Sequence, residues 1–259
     1  MIEAIEDLYS YPMYYEIAFS FRDIKHEVDV FEDCISKYSR ISVRRVLELG
    51  CGTAPHLNEL TRRGYKYVGL DINEKMLRYA RSKGEASRTN ASFLQGDMRH
   101  FSLEEPVDFA YVMLGSLYAE TTRDLNMHLE SIGRVVKPGG LYFLDWCINF
   151  DWDSKLPREQ KWTIEQQGTR VDCQFISEVA ERATQTCRNR LLAEVHDHGR
   201  TLHLGSTENT RTVFPQEFLL LIEKQRAFEF VGWWNNWNLA EPIEKATHIE
   251  RPIALIRRI

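Results

Sequence analysis

In Val46-Leu47-Glu48-Leu49-Gly50-Cys51-Gly52-Thr53-Ala54-Pro55-His56-Leu57-Asn58-Glu59-Leu60, a short apolar run ends in a Gly-x-Gly turn. Leu57 and Leu60 then share one face of a helix. Strand, tight loop and crossover helix are the opening of a βαβ unit with a buried parallel strand. Gly50 and Gly52 let the backbone turn sharply and approach a ligand with no side chain in the way. Pro55 suits a first helical turn, where its missing N–H costs nothing. Free N–H groups at a helix start point at whatever lies above the sheet, so a nucleotide-like ligand is the first expectation.

The acids narrow that ligand. Tyr67-Val68-Gly69-Leu70 ends at Asp71, twenty-one positions after Gly50, where a carboxylate can accept both hydroxyls of a ribose. Asp97 ends a third apolar run, within reach of an adenine amino group, and Ile72 and Met98 offer apolar faces to the ring. Glu48 would repel a pyrophosphate and attract an ammonium or sulfonium.

These residues resemble the class I S-adenosylmethionine-dependent methyltransferases, in layout nearest to small-molecule members such as sugar N-methyltransferases. The family's E/D-x-G-x-G-x-G reads Glu48-Leu49-Gly50-Cys51-Gly52-Thr53-Ala54 here, with alanine in place of the third glycine. Its later acids fall on Asp71 and Asp97, and its Pro-Gly-Gly on Pro138-Gly139-Gly140. The resemblance covers about residues 10–146 and the last forty or so. It implies S-adenosyl-L-methionine as cofactor, held by Glu48, Gly50, Cys51, Gly52, Asp71, Ile72, Asp97, Met98 and Leu114. It also implies a last strand running antiparallel to the rest.

The rest of the chain fits an α/β protein with a doubly wound, seven-stranded, mostly parallel sheet of Rossmann-like methyltransferase type. Ile24, Val28, Phe31, Ile35 and Tyr38 form one apolar helix face. Glu74 to Lys83 reads as a helix stopped by Gly84. Val107 to Leu114 is a central strand, and Leu125, Leu129, Ile132 and Val136 mark a helix ending at Lys137-Pro138-Gly139-Gly140. Leu141 to Trp146 is the fifth strand. From Trp162 to Phe214 the period drops to two, with turns near Gly168 and Gly199, which predicts three or four antiparallel strands. Helix returns at Pro215, and strands follow at Phe228 to Trp237 and Pro252 to Arg258.

Three parts follow. Residues 1–40 form an aromatic, helical lid segment: its Tyr14-Tyr15-Glu16-Ile17-Ala18-Phe19 stretch resembles one common in small-molecule methyltransferases, where such segments often fold over the cofactor. Residues 41–149 and 215–259 form the cofactor domain. Residues 150–214 form an antiparallel β subdomain inserted at the carboxyl ends of the strands, over the active site.

The chemistry is less legible than the cofactor site. Methyl transfer needs alignment, dryness and a route for a proton, but no covalent residue or metal. Tyr14, Tyr118, Asp145 and Trp146 are the catalytic or acceptor-lining candidates. No metal site is expected, because His196, His198 and His203 lack a completing acid or cysteine. The Trp233-Trp234-Asn235-Asn236-Trp237 run is expected to pack on the last helix.

Of 259 residues, 33 are basic and 38 acidic, and a net charge of −5 disfavours nucleic acid as partner. Five cysteines with no C-x-x-C point to a reducing cytoplasm. No apolar run approaches ~20 residues, so no membrane partner is expected. The expected reaction is transfer to a small-molecule acceptor, amine nitrogen favoured over hydroxyl oxygen, and the exposed sheet leaves a homodimer open. The alternatives are a nucleic-acid or protein methyltransferase, a nicotinamide-dependent oxidoreductase and a non-catalytic cofactor binder. The oxidoreductase leaves Glu48 and Asp97 unexplained. A base-amino methyltransferase would show Asn/Asp-Pro-Pro-aromatic where Leu114-Gly115-Ser116-Leu117 stands.

Overall fold

The computed structural model describes residues 5–151 and 156–259, so residues 1–4 of the N-terminal segment and 152–155 of the inserted block lie outside it. In chain order the first half holds β1 (Glu6–Asp7), α1 (Pro12–Ala18), α2 (Ile24–Tyr38), β2 (Arg45–Leu49), α3 (Leu57–Arg62), β3 (Lys66–Asp71), α4 (Glu74–Ala86) and β4 (Ala91–Gln95). Then come β5 (Val107–Val112), α5 (Thr122–Val135), β6 (Val136–Asp145), β7 (Arg158–Gln166), β8 (Thr169–Glu181), β9 (Thr186–Asp197) and β10 (Arg200–Arg211). The chain closes with α6 (Pro215–Gln225), β11 (Phe228–Trp234) and β12 (Ile253–Arg258).

Seven strands form the main sheet in the order β11-β12-β6-β5-β2-β3-β4. Parallel pairing runs from β6 through β5, β2 and β3 to β4, and β12 is antiparallel to both its neighbours. The strand order reverses at β2, so a crevice opens at the carboxyl ends of β2 and β5, where open α/β sheets take ligands. Every residue of β5 is buried, as a central parallel strand requires. Even its Asp108 is satisfied, by the backbone N–H groups of Arg44 and Arg45 and by Lys137 Nζ at 2.7 Å.

One face of the sheet packs on α5 and α6 through Ile132, Phe218 and Leu221 against Val112, Tyr142 and Leu144. The other packs on α2 and α3 through Val28, Phe31 and Leu57 against Phe109, Tyr111 and Phe143. Phe31 is the hub, with four aromatic ring centroids from Phe109, Tyr111, Phe143 and Trp237 within 5.6 Å.

The inserted block is a second sheet in the order β1-β10-β9-β8-β7. Strands β7 to β10 form an antiparallel meander, and β1 joins it in parallel beside Leu204 and Gly205. Gln167-Gly168 and His198-Gly199 all have positive φ, which matches the right-handed twist of two-residue hairpins. One face of this sheet, with Val171, Cys173, Ala193, Val195 and Leu204, buries Leu8 and Ala18 from the N-terminal segment. Trp162 Nε1 donates to Ala18 O at 2.8 Å, so α1 is clamped between the inserted sheet and α4.

Four local expectations are corrected. Helix α3 begins at Leu57, with Pro55 in the turn before it. Helix α4 runs through Gly84 to Ala86 because Gly84 is buried against Leu57 and Phe93, where a helical residue without a side chain packs closely. Pro138-Gly139-Gly140 lies inside β6, which starts at Val136. The register slips there between Val107 and Phe109, and Gly140 sits where a Cβ would lie 2.5 Å from Asp108 O. Of the tryptophan run, Trp233 joins the α6 core, but Trp234 packs tilted against Tyr38 of α2 and Trp237 against Phe31. Among the described residues, no helix is long and apolar enough to cross a membrane.

Candidate active site

A cavity of about 260 Å³ opens at the carboxyl ends of β2 and β5. Its floor is Glu48, Gly50, Cys51, Gly52 and Thr53; one wall is Met113, Leu114 and Ser116; Tyr15, Phe19 and Arg22 close it from above. Of the residues expected to hold a cofactor, Glu48, Gly50, Cys51, Gly52 and Leu114 line this space. Asp71, Ile72, Asp97 and Met98 lie outside its lining.

The loop needs its glycines. Gly50 and Gly52 have φ of +60° and +51°, and a Cβ on Gly50 would stand 3.0 Å from the Met98 Cε. Ala54, where the resembled motif has glycine, also has positive φ, at 51°, with its methyl buried. That conformation costs an alanine about 1 kcal/mol, offset by the buried methyl. Cys51 is buried beneath the loop, and burial pushes its thiol well above the ordinary value, so it acts as a small apolar side chain.

Asp71 is buried at the tip of β3. Its Oδ2 accepts from Gly52 N at 2.7 Å and its Oδ1 from Asn73 N at 2.8 Å. Burial raises its pKa, against the lowering by those backbone donors. One carboxylate therefore fixes the glycine loop at the tip of β3. Met98, which follows Asp97, packs over Gly50, and its carbonyl is held by His128 Nδ1 at 2.8 Å. Burial lowers the pKa of His128 to about 4, so it is a neutral donor there. Asp97 itself is taken by Arg99, whose Nη2 lies 2.6 Å from its Oδ2, and that pairing holds its carboxyl below the ordinary value. Asp97 is thus held in an ion pair, because Arg99 two residues on folds back, while its one-third exposed carboxylate keeps accepting capacity. Ile72 is two-thirds exposed at the rim, its face open to solvent.

Glu48 is not a free anion in the cavity. It is buried, with His56 Nδ1 2.9 Å from its Oε1, and the hydroxyls of Tyr67 and Tyr111 on its Oε2. His56 Nε2 meets Glu27 Oε2 at 2.9 Å, and Glu27 accepts from Arg22 Nη2 at 2.6 Å. Burial works against a charged His56, yet the Glu48 charge and the hydrogen bonds to both glutamates raise its pKa. Burial likewise opposes a charged Glu27, but His56 and the Arg22 guanidinium hold its carboxyl far below the ordinary range. Positive and negative groups are thus paired in a chain that runs from the cavity floor into α2.

The four acceptor-side candidates separate. Tyr14 points away from the cavity and donates to Asp197 Oδ2 at 2.9 Å, tying α1 to β9. Its neighbour Tyr15 is the tyrosine over the glycine loop, with its ring 3.9 Å from where a Gly52 Cβ would be. Tyr118 is half-buried beside Tyr9, with Ser116 and Glu208 nearby. Asp145 is corrected: it is fully buried, and its oxygens accept from Leu114 N at 2.8 Å, Trp237 Nε1 at 2.9 Å and Arg251. It shapes the wall and does not face an acceptor. Trp146 is 41% exposed, with φ of 58°, and its carbonyl oxygen approaches the Gly115 Cα so closely that a Cβ there would sit 3.1 Å from it.

Sequence reading missed Arg22, Glu27, Tyr15, His56 and Arg251. His56 stands eight residues after Glu48 in the quoted loop, and that proximity was the available signal. Arg22 is the one base in an aromatic stretch. Glu27 and Arg251 carried no local signal at all.

The fit to an adenosyl amino acid rests on this donor set. A buried guanidinium, Arg22, faces the cavity, a glycine floor admits close backbone approach, and a carboxylate stands at the tip of β3. Comparison with known proteins agrees. The methyltransferase domain family matches residues 46–140. The putative methyltransferase YqeM of Bacillus subtilis (strain 168) is 34% identical over 108 residues, 41% of this chain and 43% of that protein. The dTDP-3-amino-3,4,6-trideoxy-alpha-D-glucopyranose N,N-dimethyltransferase of Streptomyces venezuelae is 32% identical over 101 residues, 39% and 41%. The chain therefore spans less than half the length of these relatives. Over nearly the whole chain it shares the fold of Streptomyces venezuelae DesVI, with a TM-score of 0.77 at 19% identity, covering 96% of this chain and 97% of that one. An S-adenosylmethionine-dependent methyltransferase from Clostridium acetobutylicum ATCC 824 also superposes at 0.77, with 15% identity over 95% and 96%. Residues 46–140 thus carry a methyltransferase domain, and nearly the whole chain has the fold of S-adenosylmethionine-dependent methyltransferases.

Proposed function

We propose that this chain methylates an amine nitrogen on a small-molecule acceptor of amino-sugar type, beneath a cover made by residues 1–40 and 150–214. S-adenosylmethionine supplies an electrophilic methyl group; the chain supplies position, dryness and charge. In this reading Asp71 accepts the ribose hydroxyls, Arg22 holds the carboxylate of the amino-acid end, and Leu114 and Glu48 with its network set the ammonium side. The remaining part, 41–149 with 215–259, is the cofactor domain.

The observation that carries the acceptor class is Glu208. It lies on the face of β10 that carries Leu204, which packs on the N-terminal segment, and it neighbours Tyr118. Burial first, then Glu120 and Asp7, raise its pKa. A cationic amine entering there would be attracted by these acids, and a neutral hydroxyl would gain much less. A carboxyl with a raised pKa can also take the proton the amine must shed before its lone pair attacks. Tyr9, hydrogen-bonded to Ser206 and Tyr118, fixes the side of this recess nearest Tyr15. The relative that acts on a trideoxy amino sugar supports the same class.

Glu208→Gln tests it. Methyl transfer to a dTDP-3-amino sugar should fall at least about tenfold, with S-adenosylhomocysteine affinity unchanged, the scale of removing a general base or charge partner. Equal transfer by Glu208→Gln, or preference for a hydroxyl acceptor, would overturn the amine assignment.

A further inference from the structure

Arg251 lies in the last ten residues, far from the glycine loop in sequence, and yet reaches the acids that hold the Leu114 side and the Arg22 side of the cavity. Its Nε stands 3.1 Å and 3.2 Å from the two oxygens of Asp145, and its Nη2 stands 2.8 Å from Asp145 Oδ2. The same Nη2 is 3.0 Å from Glu27 Oε1, a residue 224 positions away. The guanidinium lies over the Trp237 ring, 4.7 Å from its centroid, and Trp237 in turn donates to Asp145. Each of its two partners holds a different wall. Asp145 accepts the N–H of Leu114, which lines the cavity in a left-handed conformation, φ +54°. Glu27 anchors Arg22, which also lines the cavity, and the His56 that contacts Glu48.

We infer that Arg251 is a positioning residue for the cofactor: one guanidinium sets the spacing between the Leu114 wall and the Arg22 wall. The inference rests on the cofactor reading above. Three acids (Glu27, Glu48, Asp145) and three bases (Arg22, His56, Arg251) share this buried region, so moving any one charge is costly and the geometry is stiff. A lysine cannot replace Arg251, because a single ammonium lacks the planar fork that meets Asp145 and Glu27 together and stacks on an indole. Leu114 is strained away from ordinary backbone for a branched residue, and the Asp145 hydrogen bond is what holds it there.

The experiment is a cycle of Arg251→Lys, Asp145→Asn and the double variant, read three ways. Calorimetry gives the Kd for S-adenosylhomocysteine, amide hydrogen exchange without ligand gives the opening of Leu114, and thermal melting gives stability. Arg251→Lys retains charge, so it keeps the region neutral and the protein foldable. Each single variant should weaken S-adenosylhomocysteine by about tenfold or more, and the double variant should be little worse than either, because both act through one link. Leu114 exchange should quicken in all three, while exchange in the centre of β5 stays slow. A purely structural role predicts lower melting temperature with Kd within about twofold of wild type and unchanged Leu114 exchange. That outcome, or additive losses in the cycle, overturns the inference. A wild-type chain that binds no S-adenosylhomocysteine would instead bring down the cofactor reading and this inference together.

Discussion

Asp71 holds two backbone N–H groups before any ligand arrives, so its removal should be felt twice. Asp71→Ala is expected to weaken S-adenosylhomocysteine by roughly 1.5–3 kcal/mol, the worth of hydrogen bonds to a charged group. It should also lower stability by about 1–2 kcal/mol, because Gly52 N and Asn73 N lose their acceptor. Calorimetry and melting on the same sample check both; a folded variant with unchanged affinity would show that Asp71 does not hold the ribose. Residues such as Glu48, Gly50, Gly52 and Asp71 were legible in sequence because strand, loop and strand tip are contiguous, and spacing alone places them. Arg22, Glu27 and Arg251 were not, because they meet only after the ends of the chain fold onto the same cavity. Asp97 was legible in position but not in state: its partner Arg99 is two residues away, and no periodicity says that it folds back.

At the scale of elements, α1 is the piece caught between the inserted sheet and α4. A seven-residue helix is marginal alone, so its order comes from burial of Leu8 and Ala18 and from Trp162. Trp162→Ala removes the donor to Ala18 O and the ring against Phe19. Amide exchange across residues 12–18 should then quicken at least about tenfold with β5 unaffected, as expected for local opening of a low-stability unit. Unchanged protection would mean that α1 stands without the inserted sheet. The same contact decides what deleting residues 150–214 would do. Loss of the insert would uncover α1 and release Tyr15 and Arg22, so cofactor affinity should fall along with methyl transfer. The strands of the insert were legible because alternation and Gly168 and Gly199 mark hairpins. The start of β6 was not, because Pro138-Gly139-Gly140 normally stops an element, and only the close approach to Asp108 O explains why chain continues there as strand.

Across the whole molecule, the paired buried charges set how stability responds to pH. His56 has its pKa raised on folding, so its contribution is full below its ordinary value of 6.5 and is lost as pH rises through the higher folded value. Glu27 has its pKa lowered, so its contribution is present above its ordinary 4.5 and is lost as pH falls toward the lower folded value. Chemical denaturation should therefore show greatest stability between about pH 4.5 and 6.5, with a decline on the alkaline side that His56→Gln abolishes. A flat alkaline limb in the wild type would mean that His56 is neutral in the fold.

The central claim is that the cavity at the carboxyl ends of β2 and β5 is built for an adenosyl amino acid. Thermal melting with S-adenosylhomocysteine, and in parallel with NAD⁺, tests it most directly. At about 100 times its dissociation constant a ligand adds about 2.7 kcal/mol, which for a chain of this size is roughly 5–10 °C. A rise of that size with S-adenosylhomocysteine and none with NAD⁺ is the predicted result; a rise with NAD⁺ and none with S-adenosylhomocysteine would contradict it.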